Sequence, residues 1–312
     1  MRIGIDLGGT KIAGLALDDD GVTRARHRVA APRGEYGNTI RAIAEMVAWL
    51  ERAAGERGTV GVGMPGAISP ATGLVKNANS TWLIGHRLAE DLARALDRPV
   101  RLANDANCFA LSEATDGAAA RAAVVFGVII GTGTGGGLVV HGRVVVGANA
   151  IAGEWGHNPL PSPRDEERLG RQCYCGRTGC IETFLSGPAL SRDYSLADDL
   201  SADLDAVEIA VRATAGEPAA MACLARYEER LARALGSVIN LIDPDVIVLG
   251  GGLSNIDRLY ANVPAIWGRF VFSDRVDTKL VKAAHGDASG VRGAAWLWER
   301  PERSGFLVQS GT

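Results

Sequence analysis

Short apolar runs and helix-spaced apolar positions alternate along most of the chain. Residues 3–7 and 12–17 are two apolar runs separated by glycines, which predicts a hairpin of two strands. Apolar side chains then recur at helical spacing over residues 40–50, and the run 60–64 predicts a strand that stops at Pro65-Gly66. Strands alternating with helices are typical of an α/β protein.

A second pair of apolar runs repeats the first pair. Residues 124–130 lead into Gly131-Thr132-Gly133, and a further run follows at residues 138–140. One constant offset aligns the two pairs: Gly4 with Gly127, Leu7 with Ile130, Gly8 with Gly131, Gly14 with Gly137 and Leu15 with Leu138. The pattern predicts an internal duplication, in which two similar lobes face each other across a nucleotide cleft.

The stretch 122–140 is uncharged and almost long enough to cross a bilayer. Its glycines would disrupt a helix, so two strands joined by a tight turn are the better prediction. The first residues lack the features of a secretory signal. The net charge of -3 and the scattered basic residues provide no field for a polyanion. We therefore expect a cytoplasmic protein with neither a nucleic-acid nor a membrane partner.

The remaining patterns divide the 312 residues into lobes. A strand at 100–103 runs into a helix at 105–114, a long helix around 224–238 precedes a buried strand at 246–249, and residues 289–298 form a last short helix. We expect an N-terminal lobe at 1–117, a larger C-terminal lobe at 118–287, a helix at 288–300 that packs back on the first lobe, and a loose tail at 301–312.

Three glycine-rich loops follow predicted strands. Each loop, taken alone, predicts only a plain turn. The first has its Lys and Thr in the wrong order for a Walker loop, and the second lacks the helix of a dinucleotide site. Together they favour phosphate binding, because backbone without Cβ atoms can approach an anion. Asp6, beside the first loop, is predicted to hold Mg²⁺ through water, although it could instead cap a turn. The glycines concerned are Gly8, Gly9, Gly131, Gly133, Gly250, Gly251 and Gly252.

Asp105 lies where a predicted strand enters a helix. Taken alone it could be an N-cap. However, Asn104 and Asn107 flank it, and ligands of α/β proteins gather at the carboxyl ends of strands. A helix N-terminus also favours the ionised carboxylate that a general base needs. We therefore predict that Asp105 is the catalytic base.

One histidine and three closely spaced cysteines have the composition of a closed zinc site: His157, Cys173, Cys175 and Cys180. Free thiols or a disulfide are the alternatives, and the expected cytoplasmic location disfavours a disulfide. Glu154 and Glu182 flank this group, and the zinc does not need them. We expect them to accept hydrogen bonds from sugar hydroxyls, with two exposed loop glutamates as the alternative. Cys108 and Cys223 read as core residues.

These motifs together resemble the ROK sugar kinases, which have the two-lobed actin/hexokinase-like (ribonuclease H-like) fold with a nucleotide and sugar cleft between the lobes. The resemblance covers nearly the whole chain and rests on Asp6-Leu7-Gly8-Gly9-Thr10-Lys11, Asn104-Asp105, Gly131-Thr132-Gly133, Glu154-Trp155-Gly156-His157 and the cysteine segment ending in Glu182. It implies an ATP-dependent kinase with Mg²⁺ and structural Zn²⁺. It also implies sugar contacts from Asn104, Asp105, Glu154, His157 and Glu182, ATP contacts from Thr10, Lys11, Thr132 and the glycine loops, and a homodimer.

Longer stretches, including residues 76–83 and 153–161, look most like the fructokinase and mannokinase branch, so fructose is the first expected substrate. Glucokinase and the kinases of N-acetylglucosamine and N-acetylmannosamine are the alternatives. A sugar-responsive repressor is a non-enzyme alternative, which the lack of room for a helix-turn-helix before the first glycine loop disfavours. Two departures from the family pattern, Thr134 and the segment 163–172, touch no predicted contact.

Overall fold

Two mixed β-sheets organise the part of the chain that the computed structural model describes, residues 1–197 and 204–298. The strands are β1 (Arg2–Leu7), β2 (Lys11–Leu17), β3 (Thr23–Ala30), β4 (Thr59–Met64), β5 (Ala67–Ile68), β6 (Val75–Lys76), β7 (Val100–Asn104), β8 (Val124–Ile130), β9 (Thr134–Val140), β10 (Arg143–Val144), β11 (Val246–Gly250) and β12 (Lys279–Lys282). The helices are α1 (Tyr36–Ala54), α2 (Leu88–Leu96), α3 (Asp105–Thr115), α4 (Asp165–Arg168), α5 (Glu182–Leu185), α6 (Gly187–Ala197), α7 (Ala206–Thr214), α8 (Pro218–Ile242), α9 (Leu259–Trp267) and α10 (Ser289–Ala295).

The two large sheets have the same topology. Their strand orders are β3-β2-β1-β4-β7 and β10-β9-β8-β11-β12. In each sheet the first three strands in the chain form an antiparallel meander, and two parallel strands extend the other side. This correspondence confirms the predicted duplication. The uncharged stretch 122–140 forms β8 and β9, as expected, and none of the helices within the described residues is long and apolar enough to span a bilayer.

The constant sequence offset aligns the first strands of the two hairpins, but the pairing within each hairpin shows that it does not align their second strands. Gly4 pairs with Leu15 in the first hairpin, whereas Gly127 pairs with Gly137 in the second. The loop of the second hairpin is therefore one residue shorter between its last paired residues. Since side chains alternate between the faces of a strand, such a one-residue slip changes the face of the sheet on which each side chain lies. The ungapped alignment was therefore wrong for the second strand.

The last helix, α10, lies directly on the first sheet. An added Cβ atom at Gly4 of β1 would be 1.9 Å from the carbonyl oxygen of Val291, and one at Gly61 of β4 would be 1.9 Å from that of Ala294. Only glycine allows this approach of helix to strands. Residues 299–312, which include the tail expected to be loose, lie outside the described residues.

A single buried carboxylate ties together the two chain segments that pass between the sheets. Glu113 of α3 is 0% exposed, and its Oε2 accepts hydrogen bonds from the backbone N–H of Ala118 at 2.8 Å and of Ala284 at 2.9 Å. Its Oε1 accepts one from the hydroxyl of Ser289 at 2.7 Å. Because α3 begins at Asp105, these bonds fix the position of the predicted base relative to both sheets.

Candidate active site

The junction of β7 and α3 places two predicted site residues side by side. Asn104 is the N-cap: its side-chain oxygen accepts a hydrogen bond from the backbone N–H of Ala106 at 2.9 Å, and its amide donates to the carbonyl of Gly66 at 3.1 Å. Asp105 is therefore the first residue of the helix and not its cap, although its own carboxylate also accepts from Ala106 at 2.8 Å. The capping alternative for Asp105 thus belongs to Asn104.

Asp105 has a proton affinity suited to a base near neutral pH. Its carboxylate opens toward the cleft, yet desolvation by the surrounding protein raises its pKa from 3.8 to about 6. The hydrogen bond from Ala106 opposes this shift, and the negative charges of Asp6 and Glu154 add to it. The helix N-terminus was expected to favour the ionised form, but desolvation and the neighbouring carboxylates outweigh it.

The first glycine loop joins β1 to β2 and closes with a hydrogen bond from the N–H of Gly8 to the carbonyl of Lys11 at 3.0 Å. Asp6 precedes it and is partly buried, and this burial raises the pKa of Asp6 against the opposing charges of Lys11 and Arg28. Arg28, on β3, is a cation near this loop that the sequence patterns did not single out. Thr10 and Lys11 are exposed to solvent, where a ligand could reach them.

The second and third glycine loops are neighbours, because β8 and β11 are adjacent parallel strands that end together. The loop after β8 closes with a bond from the N–H of Gly131 to the carbonyl of Gly133 at 2.9 Å, and Thr132 at its tip is exposed. Gly251 and Gly252 are exposed beside it. Gly250 differs: it is buried, and a Cβ atom there would lie 2.4 Å from the ring of Phe109. Packing, and not phosphate, accounts for glycine at this position.

The side chains of His157, Cys173, Cys175 and Cys180 converge, with their ligand atoms all within 4.8 Å of one another. The Sγ atoms of Cys175 and Cys180 are 3.6 Å apart, and Sγ of Cys173 is 3.6 Å from Nδ1 of His157. Tetrahedral zinc with its usual bond lengths would separate two sulfurs by about 3.8 Å and a sulfur from a nitrogen by about 3.6 Å. The four residues therefore fit zinc. None of the cysteines forms a disulfide.

The segment that carries the His157 and cysteine cluster contacts the second glycine loop and the start of β9 at two points. Trp155 is buried, and its indole N–H donates to the carbonyl of Gly135 on β9 at 2.9 Å. The Glu182 carboxylate accepts a hydrogen bond from the backbone N–H of Thr134 at 2.9 Å, and a Cβ atom at Gly133 would lie 2.6 Å from the same carboxylate. Glu182 is therefore partly engaged with the glycine loop, whereas Glu154 is exposed and lies near Asp105.

A buried charge network holds the segment 163–172 against the helices behind it. Glu167 of α4 is 5% exposed, and Arg233 of α8 approaches both of its carboxylate oxygens at 2.9 Å, while Arg230 bonds it at 2.6 Å. Asp193 of α6 bridges Arg230 to Arg171. This segment appeared in the sequence only as a departure from the family pattern. Two arginines three residues apart on the apolar face of α8 were the signal that could have revealed it.

A tyrosine between two of the cysteines contacts the free side of the histidine. The Tyr174 hydroxyl lies 3.0 Å from Nε2 of His157, and the two rings meet edge to face with centroids 5.2 Å apart. Desolvation of the hydroxyl raises the pKa of Tyr174 to about 12, and the charges of Glu182 and Glu154 contribute to the shift. Glu154, Glu182 and His157 thus all lie near the Tyr174 side chain. The sequence patterns did not single out Tyr174.

Comparison with known proteins decides the family. The family model described as "ROK family" matches residues 2–301. The chain belongs to the ROK family. The N-acetyl-D-glucosamine kinase of Yersinia pseudotuberculosis (serotype O:1b) is 39% identical over 303 residues, covering 95% of this chain and 98% of its own. The members and structures that this chain resembles include sugar kinases, which supports that class of enzyme for it.

Solved structures of the family confirm the predicted actin/hexokinase-like fold. The ROK hexokinase from Thermus thermophilus superposes with a TM-score of 0.83 at 32% identity, covering 94% of this chain and 96% of that chain. A ROK family glucokinase from Streptomyces griseus, solved with glucose and AMPPNP, gives a TM-score of 0.75 at 26% identity, covering 94% and 97%. These two structures are a hexokinase and a glucokinase, and the sequence relatives at 39–40% identity are N-acetyl-D-glucosamine kinases, so none of them carries the expected name of fructokinase.

Proposed function

We propose that the protein is an ATP-dependent kinase of N-acetyl-D-glucosamine. The observation that supports a kinase best is Asp105, a solvent-accessible carboxylate at the junction of β7 and α3, whose pKa desolvation and the charges of Asp6 and Glu154 raise to about 6. The substrate is proposed from the N-acetyl-D-glucosamine kinases that share 39% of their residues with this chain over 95% of its length. Fructose, the first expectation from the sequence, becomes the rival substrate.

In this proposal Asp105 accepts the proton of a sugar hydroxyl as that oxygen attacks the γ-phosphorus of ATP. Glu154, His157 and Glu182 orient the sugar through its other hydroxyls, and most of the acceleration comes from this positioning. Asn104 acts mainly by fixing the start of α3, since its side-chain oxygen is occupied by the helix cap.

The glycine loops bind ATP with backbone N–H groups, and Thr10, Lys11 and Thr132 contact its phosphates. Gly251 and Gly252 complete this surface, while Gly250 supports it from behind. The negative charge of Asp6 raises the pKa of Asp105, and both charges raise the pKa of the neighbouring Cys108 thiol. The two carboxylates therefore lie close enough for a cation to relieve their repulsion. Mg²⁺ bound at Asp6 through water would supply that charge.

Zinc would be held by His157, Cys173, Cys175 and Cys180. It would fix the conformation of the loop that carries these residues and would take no part in phosphoryl transfer. The loop that carries these residues presents Glu154 and His157 to the sugar. The carboxylate of Glu182 connects this loop to the second glycine loop. Phosphate and sugar subsites are therefore joined through one carboxylate.

A coupled assay of ADP release tests this function, with N-acetylglucosamine, N-acetylmannosamine, glucose, mannose and fructose compared by kcat/KM. We expect N-acetylglucosamine to give the highest value. A higher value for fructose would restore the original expectation, and no turnover of any of the five sugars would refute a hexose kinase.

A further inference from the structure

The Tyr174 hydroxyl contacts Nε2 of His157, the ring nitrogen opposite the four-residue cluster. Tyr174 is 83% exposed, and its ring meets the His157 ring edge to face. Nevertheless its hydroxyl makes a defined contact, 3.0 Å from Nε2 of His157. An exposed side chain that makes one polar contact at a site, with little packing around it, can rotate away at small cost.

The two ring nitrogens of His157 have different surroundings. Nδ1 faces Sγ of Cys173 at 3.6 Å and belongs to the four-residue cluster. When Nδ1 offers its lone pair to that cluster, Nε2 carries the proton of the neutral ring and becomes a donor. A single N–H makes one well-aligned hydrogen bond. It can donate to the Tyr174 oxygen or to a sugar hydroxyl, but not fully to both.

We propose that Tyr174 is an affinity-determining residue of the sugar site, which occupies Nε2 of His157 in the empty enzyme and yields it when a sugar binds. The inference rests on the proposed function, in which His157 contacts the sugar. Its consequence is that each sugar must displace the tyrosine hydroxyl. Part of the hydrogen-bond energy at His157 is then lost to the exchange.

The variant Tyr174→Phe tests this proposal because it keeps the ring and removes the competing hydroxyl. We expect the Kd for the sugar, measured by calorimetry without ATP, to fall about 2- to 12-fold, the range of one net hydrogen bond. The KM for the sugar should fall with it, while kcat and the KM for ATP stay unchanged. Zinc content should match the wild type, since no predicted ligand is altered.

The control is Tyr36→Phe, which removes a hydroxyl that bonds Asp91 on α2 and no residue of the site. Its sugar Kd should stay at the wild-type value. Weaker binding by Tyr174→Phe would overturn the proposal by showing that the hydroxyl itself binds sugar, and an unchanged Kd would overturn it by showing no competition. The comparison uses whichever sugar of the panel the wild type phosphorylates best, so a wrong substrate refutes only the proposed function.

Discussion

Replacing Asp105 with Asn removes the proposed base with little change in shape. The amide oxygen can still accept the hydrogen bond that Ala106 donates to Asp105 at 2.8 Å, so α3 should begin as before. Sugar affinity should therefore persist. Turnover should fall by roughly 10²-fold or more, which is the usual scale for losing a general base.

The pH dependence follows from the pKa of about 6 at Asp105. With that pKa, about 97% of the carboxylate is ionised at pH 7.5 and about 9% at pH 5, so kcat/KM should fall about tenfold between them. With the ordinary value of 3.8, the carboxylate would stay almost fully ionised at pH 5 and the rate would hardly change. The two cases are easily separated by initial-rate measurements.

The same shift predicts an effect on stability. Because the folded state holds the Asp105 proton more tightly than the unfolded state does, the ionised group destabilises the fold above about pH 6 and not below pH 3.8. Asp105→Asn should therefore melt at a slightly higher temperature than the wild type at pH 7.5. This gain should vanish as the pH falls toward 4.

Three measurements test these statements together: sugar Kd by calorimetry, kcat/KM from pH 5 to 8, and thermal melting at each pH. Asp165→Asn is the control, since the carboxylate of Asp165 is 98% exposed and pairs only with Arg168 among the contacts described. Near-wild-type turnover by Asp105→Asn would refute the assignment of the base. Residual activity with the same tenfold fall at low pH would assign that fall to another group, such as ATP.

Three further predictions concern the loop that carries the metal cluster. Removing zinc with a chelator and then restoring Mg²⁺ should lower both the melting temperature and sugar affinity, and an equally stable, active zinc-free protein would contradict a structural role. Glu167→Ala should cost about 3–5 kcal/mol in urea unfolding, because it leaves buried Arg230 and Arg233 short of a partner, whereas Asp165→Ala on the same turn should cost less than about 1 kcal/mol. Glu182→Ala should raise the KM for both sugar and ATP by about tenfold, because it removes the charge-assisted hydrogen bond to Thr134. An increase in the KM for the sugar alone would show that this bond does not couple the two subsites.

Local patterns predicted the frame of the fold well. The strand that runs into α3 and the two glycine-turned hairpins were visible because periodicity and turn residues act over a few positions. The cluster of His157 and the cysteines was visible for a similar reason, since three of its four residues lie within eight positions. The register of the second hairpin could not be predicted, because one residue more or less in a loop leaves the hydrophobic pattern almost unchanged.

Contacts between distant parts of the chain could not be read from such patterns. Glu167 lies more than sixty residues from Arg230 and Arg233, and no local spacing links them. The same holds for Gly250, whose glycine was assigned to phosphate binding although Phe109 packs against it. In both cases the residue type indicated that the position was unusual. The contact partner that explains the residue type is known only from the way the helices and strands pack.

The loop that presents Glu154 and His157 is held in three independent ways, and this bears on what the metal does. The charge network around Glu167 ties its middle to α6 and α8, Trp155 ties its start to β9, and the cluster ties His157 to the cysteines. If zinc served only to keep the loop attached, the charge network and the Trp155 contact would suffice without it. What they leave unfixed is the rotation of the His157 ring, because neither contacts it. In the proposed function, the specific contribution that we expect zinc to make to sugar binding is therefore the orientation of that ring, with Nδ1 toward Cys173 and Nε2 toward Tyr174.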